Sequence, residues 1–294
     1  MYEAKIILDS EGPNGARLTT FELSYPRMVH ADLMTHRVFS RNAGSSRAIP
    51  SDKLLKRIED DPVLPVWWGK NQSGMQAREQ LEGDALAEAK RLWLRGRDES
   101  VHTAKALGHA GLHKQLANRI VEPWMFITVL VTATEFSNFF ALRDGTEAQP
   151  ELADVAGKAH RLYEQSKPWR LNDNEWHLPL VRGNDYDQLI ARYDLEKVIL
   201  ISIGRCARVS YLTHEGVRDP EADVGLYEKL LSSGHMSPME HVGMAMTQQH
   251  WEVYARVRAM AWIRDRVPVG NFWGFGQWRK GIPLEHDFSL LKDR

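Results

Sequence analysis

Apolar and polar positions alternate in two short runs near the start of the chain, Ala4 to Leu8 (AKIIL) and Leu18 to Ser24 (LTTFELS), separated by Glu11-Gly12-Pro13-Asn14-Gly15. Two β-rich runs around a turn-forming pentapeptide predict a hairpin. Pro26 then suits the first turn of a helix, where its missing N–H costs nothing. Met28, Val29, Ala31, Leu33 and Met34 supply an apolar face up to Thr35 or His36. Residues 38 to 50 are small, polar and basic, which is loop composition, and Trp67-Trp68-Gly69 falls on a later loop. Helical patterns follow at Ala85 to Leu94 and Val101 to Ile120. From Pro123 to Phe140 the chain is apolar over a stretch too long for one strand and too apolar for a surface helix, which predicts a buried helix. A helix is expected over about 151 to 166. Pro168 to Asn184, rich in Trp, Asn, Pro and Gly, reads as a connector and the best candidate boundary. Beyond it Tyr186 to Val209 is a long helical pattern, Tyr227 to Ser232 continues in helix, and Gly243 to Gln248 reads as a strand. Strands at the start with helices after them predict an α+β fold, a helix-flanked sheet.

Composition narrows the class of protein. The chain has 294 residues, 43% of them hydrophobic, enough for the core of one large domain or two modest ones. No run reaches the roughly 18 to 20 apolar residues of a membrane span, and Met1 to Asp9 lacks the regions of a signal peptide, so a cytoplasmic protein without a membrane partner is expected. One cysteine, Cys206, excludes an internal disulfide framework and a Cys-rich metal site. A formal net charge of −1 gives no global field for a nucleic acid polymer, so an anionic ligand must be small and locally recognised.

The densest chemistry lies in Thr35-His36-Arg37-Val38-Phe39-Ser40-Arg41-Asn42-Ala43-Gly44-Ser45-Ser46-Arg47, with three guanidinium groups, an imidazole and three serine hydroxyls around Gly44. Arginine forks and close-approaching amides can cradle phosphate, although a solvated basic loop has the same composition. Further along stand Asn118-Arg119-Ile120-Val121-Glu122-Pro123, Glu135-Phe136-Ser137-Asn138-Phe139-Phe140-Ala141-Leu142-Arg143 and Glu147-Ala148-Gln149-Pro150-Glu151-Leu152. Near the other end come Arg205-Cys206-Ala207-Arg208-Val209-Ser210 and Ser233-Gly234-His235-Met236-Ser237-Pro238-Met239-Glu240-His241.

Together these segments resemble the flavin-dependent thymidylate synthases (the ThyX family), whose signature reads R-H-R-x-x-S-x-N-E-x-S-x-R-Y. His36, Arg37, Ser40, Asn42, Ser45 and Arg47 match in register, and Thr35, Ala43 and Ala48 depart from it. The later segments are similar to the family's A-R-x-V-L-P, N-F-L-x-L-R, H-A-Q-W-E-I, A-A-R-V-S and G-H-x-T-P-x-E-H. The resemblance implies that His36, Arg37, Asn42, Asn138, His235 and Ser237 contact FAD. It further implies that Ser45, Ser46, Arg47 and Arg119 anchor a nucleotide phosphate, and that Arg143 sits on the pyrimidine edge as the catalytic residue. A guanidinium there would stabilise negative charge developing on the ring. Each residue also has a plainer reading: a helix-end arginine neutralising carbonyls or pairing with Asp144 for Arg143, and capping or core hydrogen bonding for His235 and His241. Those two histidines lack a third nearby ligand, so no metal site is expected.

Two of the matching segments precede the signature in the family and follow everything else here, which implies a circular permutation. The chain then reads as a single catalytic domain, 1–294, with the signature in 1–166 and the family's N-terminal part in 185–294. The activity implied is transfer of one carbon to C5 of a pyrimidine deoxynucleoside monophosphate, dUMP to dTMP. FAD would be the cofactor, NADPH and methylenetetrahydrofolate the co-substrates, and the assembly a homotetramer with sites between subunits. Hydroxymethylation or methylation of dUMP or dCMP is the alternative within enzymes, and a non-catalytic nucleotide- or flavin-binding relative the alternative outside them. Cys206, amid Val, Ile and Ala, reads as a buried helical residue rather than a nucleophile. The aromatic tail Gly270 to Arg279 has no counterpart in the resemblance.

Overall fold

A computed structural model describes residues 1–211, 218–265, 270–283, 285 and 287. The expected hairpin forms from Glu3–Glu11 (β1) and Arg17–Pro26 (β2), antiparallel, with Gly15 at φ 79° in a turn that a side chain would strain. A short 3₁₀ turn over Arg27–Val29 and a one-turn helix, His30–Met34 (α1), follow Pro26. Val29 and Leu33 face inward, while Met28 and Met34 of the expected apolar face are exposed.

The segment expected to be loop contains a strand, Ser40–Ala43 (β3). Its polar side chains hide the period-2 signal: Ser40 and Asn42 are buried because hydrogen-bond partners meet them there. Ser51–Asp60 forms α2, and Gly83–His109 forms one continuous helix of 27 residues (α3) rather than two pieces. Gly96 does not break α3. It faces the Trp124 ring, which a Cβ there would approach to 3.2 Å, so close helix packing explains the glycine. Lys114–Ala117 (α4) then runs into a 3₁₀ segment, Asn118–Trp124.

The expected buried helix over Pro123 to Phe140 is instead a strand, Phe126–Ala133 (β4), followed by a short helix, Ser137–Arg143 (α5). β-Branched residues fill the core of FITVLVTA, and β4 lies between β2 and β3 with both faces covered. A continuous apolar run is the signature of such a central strand as well as of a buried helix. Pro150–Gln165 (α6) packs on the hairpin, enclosing Phe21, Tyr25, Phe136, Phe139, Leu152 and Val155.

The connector holds two-residue strands, Trp169–Arg170 (β5) and Trp176–His177 (β6). The single long helical pattern divides at Tyr193 and Asp194 into Asn184–Arg192 (α7) and Leu195–Arg208 (α8), Asp194 capping the second by accepting from the Lys197 amide. Pro220–Ser232 (α9), a 3₁₀ turn over Ser237–Glu240, Gly243–Ala245 (β7), Gln248–Asp265 (α10) and Phe275–Gln277 (β8) complete the described elements. The main sheet has the order β3-β4-β2-β1-β5, antiparallel except for β1 with β5, and a small antiparallel sheet has the order β6-β7-β8. The fold is thus α+β with a mixed, helix-flanked sheet. Among the described residues no helix is long and apolar enough to cross a membrane.

The two sheets share a buried polar chain. Ser10 Oγ meets His177 Nδ1 at 2.8 Å, His177 Nε2 meets Thr20 Oγ1 at 2.8 Å, Thr20 meets Thr132 at 2.7 Å, and Thr132 meets His241 Nδ1 at 2.7 Å. His241 Nε2 is buried without a hydrogen-bond partner among the described residues. An unpaired lone pair costs less than an unpaired N–H, so the proton belongs on His241 Nδ1, which donates to Thr132.

Candidate active site

Leu33 and Val29 anchor α1 in the core, so the residue two beyond the helix, His36, is delivered to the Phe39 and Phe139 rings with only 5% of its surface exposed. Phe139 and Phe140 likewise seat α5, whose last residue is Arg143. The guanidinium therefore returns to the imidazole across 107 positions of chain: Arg143 Nε donates to His36 Nε2 at 3.1 Å. Because Nε2 accepts, the ring proton sits on Nδ1 and is donated to Asn138 Oδ1 at 3.2 Å. Burial first, then the Arg143 charge, push the His36 pKa down, which agrees with a neutral ring. Arg143 Nη2 donates to Thr35 Oγ1 at 3.1 Å and to the Asp32 carbonyl at 3.3 Å. Nη1 makes no hydrogen bond among the described residues, nor does the exposed Asn138 amide nitrogen. The guanidinium is thus fixed in orientation with a donor to spare; of its plainer readings, Asp144 pairs with His160 at 2.7 Å instead, and the carbonyl that Arg143 meets is that of Asp32 in α1 rather than one at the end of its own helix.

At the far end of β3 a second corner forms. Ser46 Oγ donates to Glu122 Oε1 at 2.7 Å, and Arg119 Nη1 and Arg27 Nε reach the same oxygen at 2.8 and 3.0 Å. Buried Asn118 ties the two segments together, its amide donating to the Ser46 and Ile49 carbonyls and its Oδ1 accepting from Ser51. Ser45 is half-buried, while Arg47, like Arg37 near the first corner, is exposed and has no ion pair among the described residues.

The C-terminal half closes on β3. Asn42 donates to the Cys206 carbonyl at 2.7 Å and accepts from Ser210 Oγ at 3.0 Å, and the Ser45 amide donates to the Ser210 carbonyl at 3.2 Å. Gln277 Nε2 lies within hydrogen-bond distance of Ser40 Oγ at 3.0 Å, the Glu240 carbonyl at 2.8 Å and Asn271 Oδ1 at 2.9 Å. The turn beginning at Ser237 thereby packs on β3. His235 is exposed, with its Nδ1 on the Ser233 hydroxyl at 3.0 Å. Arg205 and Arg208 are spent on buried Asp223, and burial pushes the Cys206 thiol far up, so this cysteine is no nucleophile.

The structure therefore joins His36, Asn138 and Arg143 in one corner and Ser46 and Arg119 in another, places Asn42 on the returning half, and leaves Arg37, Arg47 and His235 at the surface. The partners that complete these corners are Thr35 in the first and Arg27, Asn118 and Glu122 in the second, while Asn271 and Gln277 hold Ser40 on the strand between them. A cleft of about 730 Å³, lined among others by Trp67, Gln76, Asp144, Thr146, Glu147 and Pro150, opens next to Arg143 in sequence. Another, of about 400 Å³ and lined by Met1, Glu3, Lys5, Arg57 and Trp124, holds none of the candidate residues.

The family described as thymidylate synthase complementing protein matches residues 17–169, from the start of β2 to the first residue of β5. With more than half of its length matched, the chain belongs to this family and is a flavin-dependent thymidylate synthase-like enzyme. A comparison with curated protein sequences finds no match. Among solved structures it is similar to a UMP/dUMP methylase, PolB from Streptomyces cacaoi, bound with 5-Br UMP: TM-score 0.44, 14% identity, 56% of this chain and 89% of that one covered. The same methylase bound with 5-Br dUMP matches at TM-score 0.41 and 15% identity over 51% of this chain and 67% of that one.

Proposed function

We propose that the protein transfers one carbon to C5 of a pyrimidine deoxynucleoside monophosphate, dUMP to dTMP, with Arg143 as the catalytic residue. The observation that carries this reading is the Arg143 guanidinium itself, held by His36, Thr35 and the Asp32 carbonyl, with Nη1 making no hydrogen bond among the described residues. A pre-oriented cationic donor pays no reorganisation when charge builds on a ring oxygen, so it stabilises that charge more than a flexible side chain would. The neutral His36 contributes by position: it accepts from Arg143 and, through Nδ1–H, fixes Asn138, whose amide nitrogen is left to face a ligand. The nucleotide's phosphate is assigned to the other corner, with Ser45, Ser46, Arg47 and Arg119. The strand between the corners rises roughly 10 Å from Ser40 to Ala43, on the order of a mononucleotide's length.

The donor set fits FAD. An anionic dinucleotide needs cations and its ring carbonyls need N–H donors, and Arg37, the Asn138 amide and the exposed His235 ring are uncommitted or nearly so. The chemistry that FAD supplies when bound and reduced by NADPH is passage of the carbon unit and hydride from methylenetetrahydrofolate and NADPH to the base. Because Arg37 and His235 point outward, a second copy of the chain would complete the site, which agrees with a homotetramer. A circular permutation would account for the meeting of the segments Arg205 to Ser210 and Ser237 to His241, late in the chain, with the strand that bears the signature. Residues 1–294 then act as one catalytic domain, in a cytoplasm.

Hydroxymethylation or methylation of dUMP or dCMP is the second reading. It is favoured by Thr35, Ala43 and Ala48, which stand where the resembled signature has Arg, Glu and Tyr. Both readings share one test. On gel filtration after incubation with FAD, yellow flavin should travel with the protein, its spectrum should shift when dUMP or dCMP is added, and Arg37→Ala should weaken uptake about tenfold, ~1.4 kcal/mol. A protein that stays colourless in excess FAD would end the proposal.

A further inference from the structure

Glu122 stands where the resembled A-R-x-V-L-P segment carries Leu. A leucine there would leave the donors of the phosphate corner open. Instead one carboxylate oxygen, Oε1, collects Ser46 Oγ at 2.7 Å, Arg119 Nη1 at 2.8 Å and Arg27 Nε at 3.0 Å. Two guanidinium groups and a hydroxyl converging on one anionic oxygen are the arrangement in which a phosphate oxygen is bound. The side chain is 21% exposed, so a ligand can reach it, and Asn118 holds the Ser46 backbone in place whether or not Glu122 stays.

We propose that Glu122 is an internal competitor for the nucleotide's phosphate, a specificity residue that narrows the preference of this site for a pyrimidine nucleoside monophosphate over the corresponding nucleoside. The proposal rests on the assignment of the phosphate to this corner made above. A phosphate that takes up Ser46 and Arg119 must either sit beside a like charge or displace the carboxylate, and both lower the return on its binding. Arg47, exposed and unpaired among the described residues, remains as the cation that the phosphate can use at no such cost. A nucleoside, with no charge to set against Glu122, is indifferent to it.

The test is calorimetric titration of the flavin-loaded protein, as wild type, Glu122→Gln and Glu122→Leu, with dUMP, deoxyuridine and inorganic phosphate. Gln keeps the shape and an acceptor oxygen for Ser46 while removing the charge; Leu restores the resembled residue, and either variant suffices if the other does not fold. The expected result is that both dUMP and inorganic phosphate bind at least tenfold more tightly to the variants, while deoxyuridine changes less than twofold. A merely structural Glu122 would move nucleotide and nucleoside together. Unchanged or weaker binding of both dUMP and phosphate, with deoxyuridine unaffected, overturns the proposal. If neither dUMP nor deoxyuridine binds any form, the pyrimidine reading falls, and the inorganic phosphate titration still decides whether Glu122 competes.

Discussion

Replacing Arg143 with Ala should lower turnover by at least about 100-fold while FAD stays bound. Loss of one pre-oriented donor at a developing negative charge typically costs 10²–10³ in rate, about 3–4 kcal/mol of transition-state stabilisation. Arg143 is half-buried at the end of α5, and its hydrogen bonds go to His36, Thr35 and the Asp32 carbonyl, so the fold should lose little when it is removed. Arg143→Lys should rescue poorly. An ammonium group is a point charge on a flexible stem and cannot hold the imidazole, the hydroxyl and the carbonyl in one plane while presenting a further donor. Single-turnover kinetics with bound flavin measured alongside separate the two effects, and a fully active Arg143→Ala protein would remove this residue from the mechanism.

The second large effect is on stability in acid. Burial pushes the pKa of His177 and His241 down to about 3 and, with help from Arg27 and Arg41, that of His30 to about 4. An unfolded histidine titrates near 6.5. Between 6.5 and those lowered values the unfolded chain binds more protons than the folded one, so stability is fully present above pH 6.5 and drains away as the pH falls. His177 and His241 are fully buried and together should cost about 3 kcal/mol for each pH unit below 6.5, against a total stability of roughly 5–15 kcal/mol for an ordinary domain. Urea unfolding at a series of pH values from 8 to 5 should therefore show a midpoint that is flat above 7 and falls steeply below 6.5. A flat profile down to pH 5 would mean that the Ser10–His177–Thr20–Thr132–His241 chain is not buried as described. Protonation of His36 acts in the same direction and would also place a proton against the Arg143 N–H, so activity should fall with stability rather than after it.

Much of the fold could be read from local pattern, and the failures have a common cause. The hairpin carries its own alternation and turn residues, and α6 its own period with Pro150 in its first turn, so tertiary context adds little. β4 and β3 do not. A strand covered on both faces loses the alternation that marks a strand, and a strand whose inward residues are Ser40 and Asn42 looks like a loop until Gln277 and the Cys206 carbonyl are seen against it. α10 carries apolar residues on both its inward and outward sides, with Val253, Val257, Met260 and Ile263 exposed, and so shows no single face by which to recognise it.

The candidate site divides along the same line. His36, Asn138, Arg143, Ser46 and Arg119 were legible because a spaced pattern preserves identity even where geometry is unknown. That His36 bridges Arg143 and Asn138 was not, since the pairing spans 107 and 102 positions and depends on how α1 and α5 pack. Glu122 was visible only as a departure from a resembled leucine. Of its three donors Arg119 lies three residues back in its own 3₁₀ segment, whereas Ser46 beyond β3 and Arg27 in the turn after β2 are distant in sequence, and only folding brings those two to the same oxygen.

The most direct measurement is mass spectrometry of the nucleotide after incubation of the protein with FAD, NADPH, methylenetetrahydrofolate and either dUMP or dCMP. dUMP should gain one methyl group, and the gain should disappear with Arg143→Ala. A gain of one hydroxymethyl, or consumption of dCMP, would select the second reading of the same site. Recovery of both nucleotides unchanged from a protein that holds its flavin would contradict the account.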